Sequence, residues 1–279
     1  MWLDVYYFPE EDNNVLTHIQ LQFNTEFFLN FVFHPQPFLL QGLGLTIIAA
    51  LLSQIIGTVL GILLAMAGMS RYLLLRSINQ VYLWLFRGTP VLVQLVLIYF
   101  GLPYLLGFDL FPSEMTAGPL SVPGALVAGI ISFGLHEAAY MSEITRSGIL
   151  AIDYGQTEAA KALGMPPRLL MRRIILPQTI PVIFPALGNQ FNNMLKTTAL
   201  LSIIGVSEMF RVAEQLQAAT FMTFEVYMGV SIYYLLLTAG WTLIQMLLER
   251  KLGRHLSGRS VKSSKQTSLN QMTELADES

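Results

Sequence analysis

Charge is scarce in this chain, and cysteine is absent. Charged residues make up 12% of the 279 residues, whereas hydrophobic residues make up 53%. An ordinary soluble domain is about 25% charged, so this composition indicates a membrane protein. The lack of cysteine excludes disulfide bonds, iron–sulfur clusters and zinc sites built on thiolates. The net charge of −2 gives no sign of a surface that binds nucleic acid.

Long stretches also lack charge of one or both signs. Residues 1–36 contain acidic residues but no lysine or arginine, and the stretch from Pro37 to Ser70 contains no charge at all. Because a membrane-spanning helix needs roughly 20 apolar residues, we expect an all-α, polytopic membrane protein with about five spans. The predicted spans cover about residues 44–66, 88–106, 122–141, 181–200 and 226–248.

These spans divide the chain into three predicted regions. An acidic external segment covers residues 1–36, and the transmembrane domain covers residues 37–250. Residues 251–279 are predicted to form a disordered cytoplasmic tail, since they are basic and then rich in serine. Between the last two spans, residues 201–225 are mixed in character and are expected to be partly helical and exposed outside.

The basic residues are distributed very unevenly. If the N-terminus lies outside, 14 of the 16 lysine and arginine residues fall on the inner side of the five spans. Basic residues stay preferentially in the cytoplasm, so the reverse orientation is nearly excluded. We therefore expect the N-terminus outside and the C-terminus inside.

The segment of residues 153–178 interrupts the apolar pattern between the third and fourth spans, and we call it the elbow. Ala159 and Ala160 favour a helix. Gly164 suits the left-handed residue that ends a helix, and the Pro-Pro pair that follows suits the first turn of another. The elbow is therefore predicted to form two short helices at an angle on the cytoplasmic side, and Pro177 is expected to end the second one and start the return into the membrane. Residue types alone leave open an ordinary amphipathic helix at the membrane surface.

The spacing within the elbow resembles the EAA loop of ABC importer permeases. The matching residues are Glu158, Ala159, Ala160, Gly164, Ile174, Leu176 and Pro177. In that family the loop forms coupling helices that sit in a cleft of a cytoplasmic ATPase, so the resemblance implies this role for these residues. The runs Phe86 to Pro103, Ala138 to Leu150 and Gly188 to Met209 also resemble the family, and more narrowly its polar amino acid branch.

Glu137 lies within the third predicted span, where a carboxylate costs on the order of 3 kcal/mol unless water or a partner meets it. One interpretation places it on a substrate path, and the other is a structural pair with His136 or a neighbouring helix. The run H-E-A-A-Y has Tyr140 where the zinc-protease pattern needs a second histidine, so we expect no metal site.

The fourth predicted span carries a polar stripe. Its members recur at helical spacing and are Asn189, Asn192, Asn193 and Lys196. In lipid, such a stripe must face other helices or water. A water-lined substrate path explains it, and hydrogen bonding between helices is the alternative.

The chain lacks the phosphate-binding pattern G-x-x-x-x-G-K-[ST], so it is not expected to hydrolyse ATP or to be an enzyme, and no cofactor is expected. The resemblance implies a type I ABC importer permease fold in the bacterial cytoplasmic membrane. It also implies a dimer of cytoplasmic ABC ATPases, a second permease subunit of the same or a different sequence, and an external solute-binding protein. ATP-driven movement of both elbows would then open the path alternately outward and inward.

The resemblance implies a polar amino acid as substrate. Glu137 in a low-dielectric span would attract an ammonium or guanidinium group, which favours arginine, lysine, ornithine or histidine. Three alternatives stay open: an ABC importer for another small solute such as an opine, a sulfur amino acid or a small peptide; an ion-coupled transporter without an ATPase; and a membrane enzyme, which the lack of a nucleophile motif disfavours.

Overall fold

The computed structural model describes residues 23–117 and 120–277, and almost all of them are helical. The acidic residues predicted to face outside before residue 23 lie beyond this part of the chain. In chain order the elements are α1 (Thr25–Phe33), α2 (Pro37–Gly68), α3 (Leu73–Gly88), α4 (Val91–Val96), a π-helical turn (Leu97–Gly101), α5 (Leu102–Leu106), β1 (Met115–Ala117), β2 (Leu120–Val122), α6 (Gly124–Leu150), α7 (Tyr154–Ala162), α8 (Pro167–Leu170), a second π-helical turn (Met171–Ile175), α9 (Leu176–Thr197), a 3₁₀ helix (Thr198–Ile204), α10 (Met209–Thr220) and α11 (Thr223–Asp277).

The all-α, polytopic prediction is confirmed, with one short antiparallel hairpin of β1 and β2 added in the described residues. Four helical stretches are long and apolar enough to cross a membrane, and they are Pro37–Gly68, Gly124–Leu150, Pro167–Ile204 and Thr223–Leu252. A fifth crossing is supplied if α3 and the α4–α5 arm, which meet at 105°, act as one broken span. This bend falls at Thr89 and Pro90, because both residues have extended backbone and proline cannot donate the helical hydrogen bond.

Most helices are longer than the predicted spans. The helix α2 starts at Pro37, where the uncharged run begins and where proline suits the first helical turn. The helix α6 runs past the predicted end to Leu150, because Glu143 and Arg146 pair with each other and remain half-exposed there. Apolarity located these spans, but helical hydrogen bonding continues beyond the apolar residues.

The fourth span and the elbow are joined differently from the prediction. Pro177 was expected to end the second elbow helix, yet α8, the π-helical turn and α9 follow one another without a break from Pro167 to Ile204. Pro177 sits in the first turn of α9, where its missing N–H removes little. The second arm of the elbow is therefore the start of the fourth span.

The last helix, α11, continues to Asp277, through the region where the sequence predicted a disordered tail. No proline interrupts residues 223–277, so the backbone hydrogen-bond pattern of a helix has no obligatory break there.

The most extensive helix–helix contact among the described residues joins α2 to α6. Gly57 and Gly61 on α2 face Glu137 and Met141 on α6, and a Cβ at Gly61 would come within 2.3 Å of the Met141 Cβ. Small residues at this spacing allow two helices to approach closely. The opposite side of α2 exposes large apolar side chains such as Ile55 and Val59, as expected for a lipid-facing surface.

The segment before the last span is partly helical, as predicted, and its start is packed against the bundle whereas many of its later residues are exposed. Glu208 caps the N-terminus of α10 and is fully buried. Its carboxylate accepts hydrogen bonds from the backbone N–H groups of Phe210 and Arg211 and from the hydroxyls of Thr46 and Tyr234. Burial raises the pKa of Glu208 above its ordinary value, and these hydrogen bonds oppose that rise. The carboxylate thereby ties α10 to α2 and α11.

Two side chains of α11 hold the fourth span. The indole of Trp241 donates to the Gly188 carbonyl at 2.8 Å, and the amide of Gln245 donates to the Pro185 carbonyl at 3.1 Å. Gly188 permits this approach, because a Cβ there would lie 2.3 Å from Gln245. The proline-containing part of α9 is therefore clamped from one side.

We expect Gly61→Ala to weaken the α2–α6 contact, because the added methyl group would overlap Met141 and lie 2.9 Å from the Ala138 carbonyl oxygen. Overpacking of this kind lowers the free energy of unfolding by about 1–3 kcal/mol. The measurement is thermal unfolding of the detergent-solubilised protein. The matched control is Gly44→Ala on the same helix, where nothing lies within 4 Å. Equal melting temperatures for the two variants would contradict the proposed close contact.

Candidate functional site

A polar cavity of about 220 Å³ lies between α4, α6 and α9. Its lining consists of Val91, Phe133, His136, Glu137, Tyr140, Gln190, Asn193, Met194 and Thr197. Glu137 is near the middle of its span, and Gln190 is near the middle of the 176–204 stretch. The cavity therefore lies at about the middle of the length of the helices that line it.

Glu137 is 4% exposed and is held from the side of α2. The amide of Gln54 donates to Glu137 Oε1 at 3.3 Å. The stem of Glu137 packs against Gly57, where a Cβ would come within 2.6 Å of the Glu137 Cβ. None of the described residues donates to the second oxygen, Oε2, so the carboxylate keeps capacity for another partner.

His136 is oriented by Gln94 of α4. The Gln94 Nε2 donates to the carbonyls of Phe86 and Thr89 and to the Thr89 hydroxyl, which fixes the amide. The Gln94 Oε1 therefore accepts from His136 Nδ1 at 2.9 Å. In a neutral imidazole, a proton on Nδ1 leaves Nε2 as a hydrogen-bond acceptor. The cavity wall thus presents an imidazole acceptor beside a carboxylate.

Charged side chains lie just beyond Tyr140. The Arg87 guanidinium is 5.7 Å from the centre of the Tyr140 ring and 3.7 Å from the Glu143 carboxylate. Arg146 also lies 3.7 Å from Glu143. Tyr140 therefore separates the cavity from a cluster of two guanidinium groups and one carboxylate.

The structure brings some of the predicted path residues together and leaves others apart. Glu137 and Asn193 line the same cavity. Asn189 and Lys196 are exposed on a neighbouring face of α9, outside the lining. Asn192 is half-buried, and its side-chain oxygen has no partner among the described residues. The stripe is therefore wider than the cavity.

Several lining residues were missed in the sequence. Gln190 and Thr197 lie three residues before and four residues after Asn193, which was predicted, so their place on the same helical face could have identified them. Gln94 and Gln54 had no such signal, because their role depends on which helix each one meets.

The elbow has an exposed face and a buried face. Gly164 has φ of 72°, and the Met165 N–H bonds to the Ala160 carbonyl while the Gly164 N–H bonds to the Lys161 carbonyl. This pair of hydrogen bonds forms a Schellman motif. The motif ends a helix at a residue with positive φ, which favours glycine. The predicted helix end at Gly164 is confirmed.

Exposure divides the predicted coupling residues. Glu158, Ala159 and Gly164 are exposed, next to Leu163, which is 84% exposed. Ala160 is buried with Leu170 and Ile175, and Ile174 packs against this cluster. Leu176 and Pro177 are exposed at the base of α9. The elbow therefore has its own small core and offers an open surface on the side of Glu158.

The part of the chain that the structure describes contains no group of three histidine or acidic side chains placed to hold a metal ion.

Comparison with known proteins agrees with this architecture. Residues 57–254 match the family model described as the binding-protein-dependent transport system inner membrane component. The arginine transport system permease protein of Bacillus subtilis is 38% identical over 77% of this chain and 93% of its own length. A Rickettsia typhi permease protein assigned to glutamine transport is 36% identical over 77% of this chain and 93% of its own length.

Solved structures show the same fold. An amino acid ABC transporter crystallised with histidines has a chain that is 36% identical, with a TM-score of 0.70 over 80% of this chain and 98% of that one. A chain of the MetNI methionine ABC transporter in an inward-facing conformation is 17% identical, with a TM-score of 0.61 over 77% of this chain and 95% of that one. The latter likeness concerns the fold alone.

If the cavity holds water in the membrane, a cysteine at position 193 should react with a charged thiol reagent. The reactive species is the thiolate, which forms only where water reaches the sulfur. Because the chain has no cysteine of its own, single variants carry no background. We expect Asn193→Cys to label roughly tenfold faster than Leu235→Cys, which is 66% exposed on the apolar outer surface of α11. Equal rates would contradict a water-filled cavity.

Proposed function

The chain belongs to the family of binding-protein-dependent transport system inner membrane components, and from this premise we propose its function. The chain is the permease subunit of a bacterial ABC importer that takes up amino acids. It forms part of the translocation path, and a separate ATPase supplies the energy. The observation that carries this proposal is the elbow, which exposes Glu158 and Gly164 at the start of a span that lines a polar cavity.

The coupling residues divide into three roles. Glu158, Ala159 and Gly164 face outward, with Leu163 beside them, and supply the surface that enters the ATPase cleft. Ala160 and Ile174 face the small core that keeps the elbow rigid. Leu176 and Pro177 begin the helix that transmits the movement. Since α8 runs into α9, displacement of the elbow tilts the helix that carries Asn193.

A second permease subunit completes the path. The cavity, about 220 Å³, is smaller than the roughly 300–1,000 Å³ of a typical small-molecule site. Asn189 and Lys196 are exposed on a single chain, and polar side chains at membrane depth need protein or water around them. Pairing with an identical or related subunit meets both needs.

The assembly includes two cytoplasmic ATPases and an external solute-binding protein. The N-terminus faces outward and the C-terminus faces the cytoplasm, which keeps most basic residues inside. This orientation brings the elbow to the compartment that contains ATP.

The substrate is a polar amino acid, and we favour a cationic one. Glu137 provides a carboxylate with one oxygen to which no described residue donates, which suits an ammonium or guanidinium group. A neutral amino acid such as glutamine is the second candidate. It is favoured by the amide and hydroxyl groups of Gln190, Asn193 and Thr197 in the same lining.

We expect Gly164→Val to uncouple transport while the protein still inserts. Valine is strained at φ of 72°, so the angle between the elbow helices should change. The measurement is co-purification of the ATPase together with substrate-stimulated ATP hydrolysis, both of which should fall. Gly107→Val is the matched control, because Gly107 also has positive φ and open space around it but lies far along the chain from the elbow. Normal uptake by Gly164→Val would argue against the coupling role.

The Glu137→Gln variant separates the two candidate substrates. Loss of a hydrogen bond between charged groups is worth about 1.5–3 kcal/mol, so KM for arginine should rise at least roughly tenfold. The KM for glutamine should change less than about threefold, because a neutral side chain makes no ion pair. The measurement is uptake of both labelled amino acids by the reconstituted complex. An unchanged KM for arginine would exclude the cationic preference.

A further inference from the structure

Gln54 on α2 is a buried glutamine with an unusual set of contacts. It is 5% exposed. Its Nε2 lies 3.3 Å from Glu137 Oε1, 3.3 Å from the Thr58 hydroxyl and 3.6 Å from the Met141 sulfur. Its Oε1 is buried and has no partner among the described residues. The Gln54 amide nitrogen thus faces Glu137, Thr58 and Met141, whereas its carbonyl oxygen accepts no hydrogen bond from a described residue.

The orientation of this amide follows from the carboxylate. Turning the amide over would place Oε1 against Glu137 Oε1, two acceptors that repel unless the carboxyl group carries a proton. A buried acceptor without a partner is rare in proteins and calls for an explanation. The contacts explain it, because the hydrogen bond that Gln54 donates to the Glu137 carboxylate stabilises this orientation more than a partner for the Gln54 oxygen would.

The two attachments of Glu137 come from the same face of α2. Gln54 holds one carboxylate oxygen, and Gly57, three residues later, leaves room for the Glu137 stem at 2.6 Å from a Cβ position. Residues i and i+3 lie side by side on a helix. The first span therefore contacts both ends of the Glu137 side chain, which lines the cavity, and Oε2 is the carboxylate oxygen to which no described residue donates.

We infer that Gln54 is the positioning residue that sets substrate selectivity, by holding Glu137 Oε1 so that Oε2 meets the cationic group of an incoming amino acid. This inference rests on the proposed function and adds a residue from the first span, outside the cavity lining, to its specificity. The opposing interpretation is that Gln54 only joins α2 to α6.

The surroundings of Gln54 make a direct test practical. On the side away from Glu137, Gln54 borders an apolar groove of about 310 Å³, lined also by Leu51, Ile55 and Trp241. A leucine at position 54 has a similar size and apolar neighbours to pack against. Replacement should therefore remove the amide without opening a cavity.

The experiment measures KM and kcat for arginine and glutamine in the reconstituted complex with its ATPase. In Gln54→Leu, we expect KM for arginine to rise roughly tenfold, since a hydrogen bond to a charged group is lost, while kcat and the KM for glutamine stay within about twofold. The matched control is Gln245→Leu, which removes another buried, bridging glutamine far from Glu137 and should leave the ratio of the two KM values unchanged.

A second variant covers the case in which Gln54→Leu does not assemble. Gln54→Glu keeps the length and a hydrogen-bonding group, but two adjacent carboxyl groups must share a proton. We expect its KM for arginine to lie between those of the wild type and Glu137→Gln, with the KM for glutamine unchanged. Equal increases for both substrates, or no change in either variant, would overturn the inference.

The outcomes also distinguish a failure of this inference from a failure of the proposed function. If the wild-type complex takes up neither amino acid, the proposed function fails. If the wild type takes up arginine and Glu137→Gln impairs that uptake while Gln54→Leu does not, only the role of Gln54 fails.

Discussion

The close approach of α2 to α6 is the constraint on which the rest of the structure depends. A carboxylate in a membrane span is costly unless it is held by a partner, and among the described residues the hydrogen-bond donor to Glu137 is Gln54 of α2. Gly57 and Gly61 allow that approach because a side chain at either position would overlap α6. The cavity then forms beside this contact, where α4 and α9 supply its other walls. Without two glycines in the first span, the carboxylate could not be both buried and open to a ligand.

Much of the fold could be predicted from the sequence. The length of the apolar runs predicts the membrane spans, and the spacing of the EAA residues predicts the elbow. The departures have physical causes. The bend at Thr89 and Pro90 was not foreseen, since hydropathy averages over both of its arms. Pro177 was expected to end a helix, although a proline in the first turn is compatible with one. Asn193 was found in the stripe, whereas Gln54 and Gln94 were not, because a glutamine in a span shows its role only through the helix that it contacts.

The elbow and the cavity are joined by a continuous stretch of helix. From Pro167 to Ile204 the backbone runs through the elbow core and past Asn193. Trp241 and Gln245 hold this stretch at Gly188 and Pro185, about midway. A helix that is held near its middle and displaced at one end tilts and does not translate as a whole. The proposed coupling therefore requires two arrangements of α9 against α11, and an ATPase can select between them only by binding one more tightly.

Two of the buried carboxylates, Glu208 and Glu137, differ in how fully the protein occupies them. Glu208 accepts hydrogen bonds from two backbone N–H groups and two hydroxyls, so both of its oxygens are occupied by the protein itself. Glu137 receives one amide donor and has a second oxygen to which no described residue donates. A saturated carboxylate is a structural joint, because any further ligand would have to displace an existing partner. A carboxylate that is held on one side only has capacity left for a ligand, and Glu137, unlike Glu208, also lines the polar cavity.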